Sequence, residues 1–207
     1  MTDEQDVNDV QDDVSAAPTR KRPRPGERRL QILQTLAGML EQPGAERVTT
    51  AALAARIGVS EAALYRHFAS KAQMFEALID FVEQSIMGLI RQVTERESQG
   101  PVQASRIVAL LVQFAEKNPG MTRVMTGDAL VHEHARLQER VNLLFDKIEA
   151  QLRQSLRSSE GATPTVDAQV TASLLVAFLM GRLQRYARSG FKRSPSEHLA
   201  ACLARLV

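Results

Sequence analysis

Residues 49–75 read TTAALAARIGVSEAALYRHFASKAQMF, and their punctuation decides the fold. Thr49 and Thr50 suit a helix start, because a hydroxyl can accept from backbone N–H groups that the first turn leaves free. Leu53 and Ile57 follow, four apart on one helical face. Gly58 then supplies the left-handed backbone that commonly closes a helix. Ser60 caps the next segment with Glu61 against its positive end, and that helix is expected to run to about Phe68. Ser70 caps a further, long helix. Residues 50–68 therefore have the form of a helix-turn-helix. Ala54 is small where the two helices cross, and Leu53, Ile57, Val59 and Leu64 supply a shared core.

The second helix of such a unit works by entering a DNA major groove, the groove wide enough to admit a helix. Its outward positions are Glu61, Ala62, Ala63, Arg66 and His67, with Ser60 at the leading end, and the two alanines allow close approach to base edges. Lys71 pairs a cationic head with a helix N-terminus, which is a phosphate site. Thr49 and Thr50 offer hydroxyls and backbone N–H groups to a flanking phosphate. Upstream, Arg20, Lys21, Arg22, Arg24, Arg28 and Arg29 crowd together, as in flexible basic arms that lie along a duplex or reach its minor groove. The chain holds 26 Lys and Arg against 24 Asp and Glu, and six of those acids fall within residues 1–17. The remainder is thus distinctly basic, which suits a polyanionic partner. The acidic stretch is placed to screen the basic arm when DNA is absent.

Outward from the motif the chain reads as helical throughout. Leu30, Leu33, Leu36 or Ala37, and Leu40 share a face in a first helix that Pro43 and Gly44 end. The helix after Ser70 repeats Phe75, Leu78, Ile79, Val82, Ile86 and Leu89 or Ile90, and is expected to end near Gly100–Pro101. Further helices are expected over 102–117, 119–132 with a break at Gly127, 134–157, 166–189 and 196–206, with GATPT (161–165) as a loop. No stretch alternates as an exposed strand does, and no repeat period is evident. The fold class is all-α with about nine helices. Residues 1–25 form a disordered arm, 26–71 the helix-turn-helix unit and 72–207 a helical bundle. Segments 166–189 and 196–206 are apolar on more than one face, which points to a homodimer and so to the two half-sites of a palindrome.

Composition narrows the rest. Cys202 is the single cysteine, so no disulfide forms within a chain; it is expected to be a small buried apolar side chain. No apolar run is long enough to cross a bilayer and the first residues do not form a signal segment, so the expected location is cytoplasmic with no membrane partner. His132 and His134 stand two apart, on roughly opposite helical faces, and do not make a metal site. No catalytic constellation, cofactor motif or metal cluster emerges.

The quoted stretch resembles the DNA-binding domain of the TetR family, through Gly58-Val59-Ser60, Leu64-Tyr65, His67-Phe68 and Ser70-Lys71. The resemblance implies phosphate contacts from Tyr65, His67 and Lys71, and base contacts from Glu61, Ala62 and Ala63. EKNPGMTRVMTGDAL (116–130) and ERVNLLFDKIEAQLRQSLR (139–157) are similar to the nucleoid occlusion factors within that family, and the likeness runs from about Gly26 to Val207. It implies a dimer on palindromic chromosomal sites, nucleoid-associated, that engages the C-terminal tail of the division protein FtsZ and opposes its assembly. The tail would lie between the fourth and fifth helices, with Phe81 as apolar anchor and Lys117, Asn118 and Arg123 nearby. Leu89 stands where a basic residue is expected, so one ion pair is either lost or moved to Arg91. The alternative is a TetR-type repressor released from DNA by a small-molecule inducer.

Overall fold

Three side-chain hydroxyls start three helices. In the computed structural model, which describes residues 26–42, 47–157 and 165–207, Thr49 Oγ1 accepts from Ala52 N at 3.1 Å. Ser60 Oγ accepts from Ala63 N and Ser70 Oγ from Gln73 N, each at 3.2 Å. These caps open α2 (Thr50–Ile57), α3 (Glu61–Tyr65) and α4 (Lys71–Arg96). Gly58 closes α2 at φ 76°, where its N–H returns to Ala54 O and Ala55 O. A β-carbon is strained at such an angle, so glycine suits the turn.

α1 (Glu27–Leu40) precedes this unit. After α4 come α5 (Gly100–Lys117), α6 (Pro119–Met125), a 3₁₀ turn (Asp128–Leu130), α7 (Ala135–Arg157), α8 (Thr165–Arg188) and α9 (Leu199–Leu206). The described residues thus form nine α-helices and no strand. None of these helices is long and apolar enough to cross a membrane. The expected arm over 1–25, the stop at Pro43–Gly44 and the loop up to Pro164 lie outside the described residues.

One apolar core runs through the molecule. It takes Ile32, Leu36 and Leu40 from α1, Leu53 from α2, Leu64 from α3, Phe75 and Ile79 from α4, Leu111 from α5, and continues to Leu199 and Leu203 in α9. α6 meets α1 backbone to backbone: a β-carbon on Gly120 would stand 1.9 Å from the Ala37 carbonyl oxygen. Arg123 strengthens this junction by donating to Gln42 O at 3.2 Å. Thr122 is fully buried, and its hydroxyl meets Ala115 O at 2.8 Å, so the buried polar atom is satisfied. Tyr186, near the end of α8, donates to Glu116 O at 3.1 Å. Burial raises its phenol pKa, and the Glu116 and Glu41 carboxylates add to that.

Several expected boundaries move. α3 ends at Tyr65, because the N–H groups of His67 and Phe68 both turn back to Leu64 O and Phe68 drops into the core. α4 ends at Arg96, and Gly100–Pro101 opens α5 instead. Proline is well placed there, since a first-turn residue has no N–H bond to lose. α9 begins at Leu199, three residues later than expected, after His198 takes a left-handed conformation at φ 53°. Leu30 is 45% exposed: the α1 core stripe runs through Ile32, Leu36, Ala37 and Leu40. Cys202 is only half-buried, and its Sγ lies 3.2 Å from the Arg182 guanidinium. The break expected at Gly127 is present, with φ 80° between α6 and the 3₁₀ turn.

Candidate nucleic-acid interface

α3 leaves the core with one side in and one side out. Leu64 is fully buried. Ser60, Glu61, Ala62, Tyr65 and Arg66 are exposed, while Ala63 and His67 are half-buried. Tyr65 shows 46% of its surface, a large exposure for an aromatic side chain that the core could have taken. Glu61 does not point freely: its Oε2 accepts from Thr50 Oγ1 at 2.7 Å, which ties the start of α3 to the start of α2. The capping bonds occupy the Thr49 and Ser60 side-chain oxygens, and both residues are exposed. Arg56, at the end of α2, and Arg47, just before it, are also exposed. The face therefore combines small side chains at the helix start with cations and an exposed phenol around it. That is the arrangement needed to approach base edges and hold flanking phosphates.

Two partners of this unit were not legible in the motif. Arg29, counted above with the basic arm, is a structural staple: its guanidinium donates to His67 O and lies 4.1 Å from the Phe68 ring centroid. It holds the turn where α3 ends. Lys71, at the head of α4, forms an ion pair with Glu133 in the turn before α7, 62 residues away, and lies 5.7 Å from the Phe75 ring centroid. The pairing of a motif lysine with a distant acid has no local signal.

A second face lies on α4 and α5, which the short turn 97–99 joins as antiparallel neighbours. Phe81 is 40% exposed there. Ser85 and Gly88 follow it at helical spacing, and a β-carbon on Gly88 would meet nothing within 4 Å. The middle of that face is therefore open. Lys117 is exposed in the last turn of α5, the end that returns toward the first half of α4. Asn118 is half-buried and donates to Phe114 O at 2.7 Å, closing α5. Arg123 is directed elsewhere: besides holding Gln42 O, it stacks 5.1 Å from the Phe191 ring centroid. Leu89 is half-buried and Arg91 exposed.

A third face is a stripe on α8. Val170, Leu174, Ala177 and Gly181 are exposed at intervals of four, three and four, with Ala200 and Ala204 exposed on α9 and Val207 just after it. His132 and His134 are both exposed, and no group of three or more His, Cys, Asp or Glu among the described residues could hold a metal ion.

Residues 32–78 match the family described as bacterial regulatory proteins, tetR family. Residues 98–205 match the SlmA-like family described as tetracyclin repressor-like, C-terminal domain. The nucleoid occlusion factor SlmA of Idiomarina loihiensis is 50% identical over 177 residues, covering 84% of this chain and 90% of that protein. That of Photobacterium profundum is 51% identical over 175 residues, covering 83% and 89%. Among solved structures, a TetR transcriptional regulator from Legionella pneumophila superposes with a TM-score of 0.71 at 14% identity, covering 91% of this chain and 100% of that one. At that identity the likeness speaks for the fold alone.

Proposed function

The chain belongs to the SlmA family of TetR-type, DNA-binding nucleoid occlusion factors, and on that premise we propose that it binds palindromic chromosomal sites as a homodimer and, while bound, engages the C-terminal tail of FtsZ. The observation that carries the DNA half is the divided face of α3, with Leu64 buried and Ala62, Tyr65 and Arg66 presented outward. Ala62 and Ala63 let the helix start sit against base edges. Tyr65, His67 and Lys71 fix its register on the phosphates. Two copies joined through the α8 and α9 stripes would set two such helices on successive major grooves, the reason a palindrome is read by a dimer. Bound in this way, the protein is placed at the nucleoid.

The exposed Phe81 supports the partner half. A large aromatic beside the open stretch at Gly88 is the anchor an extended or helical peptide needs. Lys117 supplies a cation for an acidic tail, and Asn118 lies next to it at the α5 terminus. Arg123, committed to Gln42 and Phe191, contributes by holding α6 against α1.

An inducer-released repressor needs a cavity of roughly 300–1,000 Å³ with a few converging polar groups. The crevice between Met125, Val141, Phe145, Met180 and Leu183 holds about 50 Å³, too small for such a ligand. The hollows of about 360 Å³ at Arg182, Arg185, Arg193 and Glu197 and of about 430 Å³ at Gln151, Arg153 and Arg157 are lined mainly by charged and polar side chains rather than apolar ones, which favours the adaptor reading. The deciding experiment measures binding of an FtsZ C-terminal tail peptide with and without a palindromic duplex. Binding that strengthens with DNA is expected. No peptide binding in either condition, together with a small molecule that releases the DNA, would establish the repressor instead.

A further inference from the structure

We infer that Lys71 and Glu133 form a DNA-sensitive latch between the reading unit and the bundle: Glu133 holds the ammonium that a DNA phosphate must take. This rests on the reading of Lys71 as a phosphate contact.

Lys71 is the first residue of α4, beside the free N–H groups of that helix start, where an anion is favoured. Its ammonium is already paired with Glu133. The lysine side chain is 24% exposed and the glutamate 10%, so the carboxylate is the more enclosed partner and the ammonium lies nearer to solvent. Glu133 is held in place by its own backbone, whose N–H donates to Leu130 O at 2.9 Å. A phosphate arriving at the head of α4 therefore meets a cation whose charge is largely neutralised. Capturing it means either displacing the carboxylate or holding two anions on one ammonium, and both reduce affinity relative to a free lysine.

The contact is also the first rung of a ladder. Below it, Arg136 pairs with Glu76 at 2.6 Å, Arg140 with Asp80 and with Glu83 (3.8 Å), and Lys147 with Glu83. Glu76, Asp80 and Glu83 recur at helical spacing along the flank of α4 that faces α7. Phe81 lies on the same helix. An event at Lys71 is thus felt where α4 and α7 are clamped, on the helix that carries the peptide face. Coupling of this kind is reciprocal, so a ligand on α4 that favours the opened rung must raise DNA affinity by the same factor.

The test uses the full chain and a palindromic duplex, read by fluorescence anisotropy. Glu133→Gln removes the charge but keeps the shape and an oxygen for Lys71. It should bind DNA about three- to tenfold more tightly than the wild type at low salt, with the gap narrowing as salt rises. In a Lys71→Gln background the same substitution should change affinity little, which separates a latch from a general gain of positive charge. Hydrogen exchange at residues 131–137 should quicken on adding DNA to the wild type. Equal or weaker binding by Glu133→Gln in a protein of unchanged Tm overturns the latch, as does full tightening in the Lys71→Gln background. If no variant binds any duplex, the DNA-binding reading fails and the latch with it.

Discussion

The reading unit and the bundle are built by different means. The starts of α2, α3 and α4 are set locally, by Thr49, Ser60 and Ser70 capping within their own first turns and by Gly58 between them; Arg29 and the Lys71–Glu133 pair reach farther. The bundle is fixed at a distance. Arg123 reaches Gln42 across 81 residues, Tyr186 reaches Glu116 across 70, and Arg140 reaches Asp80 across 60. A helix start of this kind is set by a few neighbouring residues, whereas the face of α4 and α5 depends on how long helices register against each other.

The largest expected effect strikes where the two regions meet. Gly120→Val would force a side chain into the Ala37 carbonyl, and a loss of about 3 kcal/mol or more of stability should appear in urea unfolding. A small loss there would show that the junction can yield, and the contrast between local and distant order would weaken. Phe81→Ala comes next. It should weaken tail-peptide binding by roughly tenfold or more with DNA affinity unchanged, as titration of the same preparation with both ligands would show. If DNA affinity falls equally, the two faces are one site. Lys71→Ala should weaken binding to all duplexes alike and flatten the slope of log affinity against log salt by about 1. A loss confined to one base position would make Lys71 a base reader. The smallest effect is Ser60→Ala, which should cost about 1 kcal/mol, with faster hydrogen exchange in α3 and little change in α7 and α8.

The legibility of the sequence follows the same division. The caps, the turn at Gly58 and the buried Leu64 were readable because each acts on neighbours within four residues. α1 was readable as a helix, and so was the later half of its core stripe: Leu36, Ala37 and Leu40 are buried as the period predicts. The first turn was not, because packing against α2, α4 and α6 buries Ile32 and leaves Leu30 exposed. The end of α3 was misplaced because the chain is turned by Phe68 burying itself and by Arg29 gripping His67 O from α1. Phe81 was a candidate anchor on resemblance alone; periodicity could not say that it stays 40% exposed. Glu133 gave no sign at all, since an exposed-looking acid between two histidines shows no partner until the chain is folded.

The backbone contact at Gly120 has a consequence for geometry. Where Gly120 meets the Ala37 carbonyl, backbone touches backbone, so this point of the joint has little that is soft to compress, and Arg123 bolts it from beside. In a dimer, the distance between the two recognition helices then behaves as a ruler with fixed marks. Inserting one base pair at the centre of a palindrome displaces one half-site by about 3.4 Å and turns it by roughly a tenth of a helical turn. A ruler of this stiffness should reject that operator outright.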